Sequence, residues 1–111
     1  MDASTSTDVR PWQLVTSVAG RDEGHAYLVF RILDDGFADL VDGDKRKVDA
    51  PKRKNVRHLV SYPHIAGDLA ERDGSGSGVK NADVRAALDQ LTIVAGLRGS
   101  QTGTGQDSLD R

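Results

Sequence analysis

Between Asp44 and His58 the chain carries seven bases, Lys45, Arg46, Lys47, Lys52, Arg53, Lys54 and Arg57, against two acids, Asp44 and Asp49, a local net charge of +5. Ammonium and guanidinium groups at this density suit one chemistry above others: they neutralise phosphates and release condensed counterions. Arg46, Arg53 and Arg57 are the better contacts for a bidentate phosphate or a stacked base, because a guanidinium is planar and forked whereas an ammonium is a point charge. The bland alternative is a solvated hairpin kept soluble by its charge. With 15 bases and 17 acids, the whole chain has a net charge of −2 that conceals the cluster. Outside it eight bases face fifteen acids, so charge is segregated along the sequence.

No catalytic constellation competes with this reading. His25, His58 and His64 lack the short ligand spacings of a zinc site, and no nucleophile, base and orienting group fall together. His58, beside Arg57, fits better as part of the basic face. Gly74 to Lys80 has a superficial likeness to a phosphate loop, but Val79 separates glycine from lysine and Asn81 replaces the required hydroxyl. A non-catalytic protein without metal or cofactor is the expectation. Among the aromatics, Trp12 and Phe30 read as core, while Tyr27, Phe37 and Tyr62 could be exposed, Tyr27 being the candidate for stacking on a base.

The elements that must hold the basic cluster are short. The chain has 111 residues, enough for one small domain, and about 50 to 80 ordered residues bury only about 60% of the surface that their unfolded chain exposes. It contains no cysteine, which excludes a disulfide framework and favours the cytoplasm. No apolar run approaches the roughly 20 residues that cross a bilayer. Residues 1–10 read as a disordered leader. Leu14, Val15 and Val18 suggest a first strand ending at Gly20. In a second strand, Ala26, Leu28, Phe30 and Ile32 form the core face, and His25, Tyr27, Val29, Arg31 and Leu33 a mixed outer face. Asp35-Gly36 is a hairpin turn before a third strand with Phe37, Leu40 and Val41. Asp42-Gly43 is another turn, leading to a strand at Arg46 to Val48, and Val56 to Tyr62 supplies the last. About five short, tightly turned strands in about 50 residues fit a small barrel, since closure removes exposed edges.

Residues 63–80, with "DGSGSG" at Asp73 to Gly78, read as a Gly/Ser-rich linker. Beyond it the apolar period changes to 3.6: Asn81 caps a helix over 81–96 with Val84, Ala87, Leu88, Leu91, Val94 and Ala95 on one stripe, an Arg85–Asp89 pair on the wet face, and Gly96 as the stop. This helix either docks on the barrel or reaches a partner. Residues 97–111 read as a disordered tail.

Taken together, "LVTSVAGRDEGHAYLVFRILDDGFADLVDGDKRKVDAPKRKNVRHLVSY" resembles the small bacterial KOW-domain RNA-binding proteins, which are similar to KOW-type large-subunit ribosomal proteins of eukaryotic type. The resemblance covers Leu14 to Tyr62 and extends to "NADVRAALDQL". It implies a mainly β fold, an SH3-like (KOW) barrel at 11–62 with one C-terminal helix, and contact with ribosomal RNA by the first loop and nearby basic loops. The implied RNA-binding residues are Gly20, Arg21 and Gly24 in the first loop with Lys45, Arg46, Lys47, Lys52, Arg53, Lys54, Arg57 and His58. Glu23 departs from the pattern, standing where related proteins often carry lysine; with Asp22 it offsets Arg21 and moves the expected grip to the later cluster. The resulting expectation is a monomeric cytoplasmic protein bound to ribosomal RNA. The alternative is a protein-binding module docking on a ribosomal protein or the transcription machinery.

Overall fold

The structure, a computed structural model, describes residues 9–76 and 78–97. Most of the expected leader and all but Leu97 of the expected tail lie outside the described residues. Five strands, β1 (Gln13–Ser17), β2 (Ala26–Ile32), β3 (Phe37–Val41), β4 (Lys52–Asn55) and β5 (Leu59–Ile65), form one antiparallel sheet in the order β4-β3-β2-β1-β5. Two helices follow, α1 (Gly67–Ser75) and α2 (Asn81–Val94).

The outermost strands are consecutive in sequence, joined by the single 3₁₀ turn Val56–His58. A flat sheet would place them four spacings apart, about 19 Å. A three-residue 3₁₀ turn spans about 6 Å, so the sheet must curl until these ends approach. Backbone bonds fix the curl, Val56 N donating to Gly36 O (3.0 Å) and Val18 N to His58 O (2.8 Å). Val15, Tyr27, Val29, Ala38, Leu40, Val56 and Leu59 fill its inside. A second cluster on the other face joins Trp12, Leu14, Leu28 and Val41 to Leu69 of α1 and Val84 of α2. The central strand β2 is therefore covered on both sides: Ala26, Tyr27, Leu28 and Val29 are all buried.

This corrects the expected alternation, and a bulge explains the rest. Leu28 opposes Val41 and Val29 opposes Leu40, but beyond Phe30 Arg31 opposes Asp39 and Ile32 opposes Ala38. One extra residue flips every later side chain to the other face. Ile32 consequently leaves the face of Leu28 and is 46% exposed. Phe30 packs edge-on against Trp12, with ring centroids 5.5 Å apart.

The fourth strand is also displaced. Arg46 to Val48 is not a strand, because Asp42 Oδ1 captures the backbone N–H groups of Asp44 (2.9 Å) and Arg46 (2.8 Å) and winds the segment into a loop. The strand is the basic run Lys52–Asn55 itself. The last strand starts at Leu59, since Asn55 Oδ1 accepts from Arg57 N (2.9 Å) and diverts Val56–His58 into the 3₁₀ turn.

The expected linker holds the end of β5 and all of α1. Its apolar signal is slight, Leu69 and Ala70, and tertiary bonds supply the rest: Trp12 Nε1 donates to Asp73 Oδ2 (3.3 Å) and Arg72 Nη1 to Asp83 Oδ2 (2.7 Å). Gly76, in the left-handed region, ends it. Helix α2 docks on the sheet through fully buried Val84, with Ala87, Leu88, Leu91 and Ala95 packed beside it. Val94, expected on this stripe, is 62% exposed, whereas Thr92 is buried. Lys80 rather than Asn81 occupies the capping position, its N–H donating to Asp83 Oδ2 (3.0 Å). Asn81 is instead drawn to the basic loop, accepting from Val48 N (2.9 Å). Arg85, exposed, likewise reaches this loop, donating from Nη1 to Gly43 O (2.7 Å).

Candidate nucleic-acid interface

Two loops at one end of the sheet build the site. Between β1 and β2, Gly20 and Gly24 take positive φ, and Gly24 N donates to Ser17 O (2.7 Å), closing a tight loop around Asp22. Between β3 and β4, Gly43 takes φ 78° directly beneath α2. A Cβ there would stand 2.5 Å from Asn81 O and 2.8 Å from Arg85 Cγ, so glycine is required by both conformation and space.

Each loop encloses a carboxylate. Asp22 Oδ1 accepts from Ser17 Oγ (3.0 Å) and Lys54 Nζ (2.8 Å), and Oδ2 from the Tyr27 hydroxyl (2.8 Å). Burial pushes this carboxyl up, but the bonds from Lys54, Tyr27 and Ser17 outweigh it and hold it well below the usual carboxylate range. Asp42, 5% exposed, accepts from the two loop N–H groups through Oδ1 and from His25 Nε2 (2.8 Å) through Oδ2. Burial again acts upward, and the backbone bonds from Arg46 and Asp44 with that from His25 leave its pKa lowered. Tyr27 moves the other way, its phenol raised by burial and by the bond to anionic Asp22.

These groups floor a cavity of about 430 Å³ whose rim carries Arg21, Lys45, Arg46 and Lys52. Among the described residues none of the four cations pairs with a carboxylate. The two acids in the cavity wall are turned onto donors of their own. The result is a concave surface on which four cations stand against two carboxylates that are already engaged.

The predicted residues separate into groups. Arg21, Lys45, Arg46 and Lys52 converge on the cavity, with Gly20 and Gly24 shaping the loop beside it. Lys54 does not join them as an open cation: 11% exposed, it donates to Ala19 O (2.8 Å) as well as to Asp22. Arg53 points from the opposite face of β4 and lies over the Phe37 ring, 4.8 Å from its centroid. Lys47, Arg57 and His58 are exposed but do not line the cavity. Glu23 is exposed outside it.

Of the wall residues, Tyr27 was expected as an exposed stacking residue, Asp22 as an offset to Arg21 and Asp42 as part of a turn, while His25 was given no role in the site. Tyr27 is 3% exposed and packs inside the curl, which removes it as a stacking platform. One signal was available: His25 and Tyr27 stand two apart at the start of β2, directly after a glycine loop that contains Asp22. Tyr62 is half-buried, sharing a hydrogen bond of 3.3 Å with Thr16 Oγ1. A smaller crevice of about 180 Å³, between Ile65–Asp68 and α2, gathers no comparable charge.

No helix among the described residues is long and apolar enough to cross a membrane, and no group of three or more His, Cys, Asp or Glu there could hold a metal ion. No protein-family model matches the chain, and no curated protein is significantly similar to it.

Proposed function

We propose that this is a non-catalytic RNA-binding protein of the cytoplasm, a monomer whose curled sheet is an SH3-like barrel of KOW type and whose target is structured ribosomal RNA. The observation that carries the reading is the convergence of Arg21, Lys45, Arg46 and Lys52 on one concavity whose carboxylates are already engaged. The strand order, with outer strands linked by a 3₁₀ turn, supports the barrel. Phosphates dock on the rim, and the loop around Asp22 reads RNA shape rather than a long sequence.

Three to five engaged phosphates give a slope of log affinity against log salt of about −2 to −4. Fluorescence anisotropy with ribosomal RNA fragments measures it, and sedimentation on sucrose gradients tests co-migration with ribosomal subunits. A salt-independent affinity, or absence from the subunit fractions, overturns the proposal.

A second reading, docking on a ribosomal protein or the transcription machinery, is favoured by one feature: Ile93 and Val94 at the end of α2 are 51% and 62% exposed. Substituting both by Asp leaves RNA affinity unchanged on the first reading and releases the protein partner on the second.

A further inference from the structure

We propose that the cavity between the two loops receives a single nucleotide of the bound RNA, turned out of its stack, with its phosphate on the rim cations and its base against the His25 ring. The inference rests on the RNA-binding reading and adds the unit that is recognised. Size is the first argument. At about 430 Å³ the cavity exceeds what a phosphate group fills and lies in the range of about 300 to 1,000 Å³ typical of small-ligand sites.

Chemistry is the second. Arg21 and Arg46 offer planar forks that match phosphate, and Lys45 and Lys52 add point charges beside them. The wall offers an aromatic surface. His25 and Tyr27 lie ring to ring with centroids 4.6 Å apart and planes tilted by 46°. Tyr27 is covered, but the His25 side chain is 36% exposed, so a base meets the imidazole with the phenol behind it.

Preorganisation is the third. The two rings are pinned at their polar ends, His25 Nε2 by Asp42 and the Tyr27 hydroxyl by Asp22, and each carboxylate is itself tied into its loop. A wall held in place before binding spares the cost of ordering it afterwards. The same bonds define selectivity. Both carboxylates and the phenol are occupied, leaving stacking as the wall's contribution. All four bases are accepted, purines ahead of pyrimidines by their larger stacking area.

The test is an NMR titration of the full chain at low salt with the four nucleoside 5′-monophosphates, ribose 5-phosphate, adenosine and inorganic phosphate. Adenosine 5′-monophosphate is expected to shift His25, Arg46 and Lys52 saturably and to compete with an RNA oligonucleotide. Ribose 5-phosphate and inorganic phosphate bind the same rim roughly ten-fold more weakly, and adenosine alone does not bind. His25→Ala weakens RNA and the monophosphates about ten-fold while sparing ribose 5-phosphate, and His25→Phe, which keeps a ring but loses the bond to Asp42, recovers part of that loss. Wild-type titrations decide the matter even if His25→Ala does not fold. Inorganic phosphate as tight as the monophosphates overturns the inference in favour of a plain anion site. RNA that binds without shifting His25 overturns it and leaves the RNA-binding reading intact. Monophosphates that saturate the cavity while RNA fails to bind overturn both readings and mark a site for free nucleotides.

Discussion

The loop around Asp22 and the loop that starts at Asp42 solve one problem with different donors. Each must satisfy a carboxylate taken largely out of water, which is costly unless every oxygen finds a partner. Asp22 finds side chains, Ser17, Tyr27 and Lys54, and so absorbs a lysine from the basic run. Asp42 finds backbone N–H groups and His25 and absorbs no lysine or arginine. The cations of the second loop stay open, whereas β4 surrenders one of its own. Which charges remain for a ligand is thus decided by what satisfies the buried acids, not by the count of bases.

The largest expected effects come from removing the acids. Asp42→Ala strands two loop N–H groups and the His25 donor and costs about 3 to 4 kcal/mol in urea unfolding, with RNA affinity falling alongside. Asp22→Ala leaves Lys54 uncompensated and costs about 3 kcal/mol, yet it frees a cation beside Arg21, so RNA affinity per folded molecule is unchanged or higher. Equal losses of affinity in both variants would break the comparison.

Gly43→Ala is next, at about 2 to 3 kcal/mol, because it combines a strained φ with a clash against the backbone of α2. Thermal denaturation reads the loss, and tryptophan fluorescence tracks Trp12, which packs in the same cluster as Val84.

A smaller, sharper contrast lies within β4. Lys54→Met costs about 2 kcal/mol and leaves RNA affinity within about two-fold, whereas Lys52→Met changes stability by less than about 0.5 kcal/mol and weakens RNA several-fold. Paired denaturation and anisotropy curves separate the two lysines.

The smallest effects near neutrality are those of pH. Asp22 and Asp42 have lowered pKa values in the fold, so their contribution is complete above about pH 5 and is lost as pH falls below the unfolded value of about 4. Tyr27 is raised, so its contribution is complete below about pH 10 and is lost as pH rises beyond it. Stability measured as pH falls from about 5 to 3 and as it rises from about 9 to 11 should show these two losses. Tyr27→Phe should remove the alkaline loss and leave the acid loss in place.

Much of this architecture was legible in the chain, and the misses have local causes. The first three strands, the C-terminal helix and the glycine at its end follow from period-two and period-3.6 patterns with glycine punctuation, whereas the docking of that helix does not. The bulge at Phe30 has no composition of its own, and α1 carries too few apolar residues to announce itself without Trp12 and Asp83 nearby. Arg46 to Val48 read as strand because the competitor for its backbone was a side chain four residues upstream.

Local composition and period were enough to place the bases between Lys45 and Arg57, the first three strands, the C-terminal helix and the glycines at the turns. Which bases stay open depends on the fold. Lys52 and Lys54 are near-identical in sequence context, and they diverge because one faces a cavity while the other meets Asp22 from a loop 32 residues away. Partner choice between distant carboxylates and cations is a property of curl and register, which no local pattern encodes.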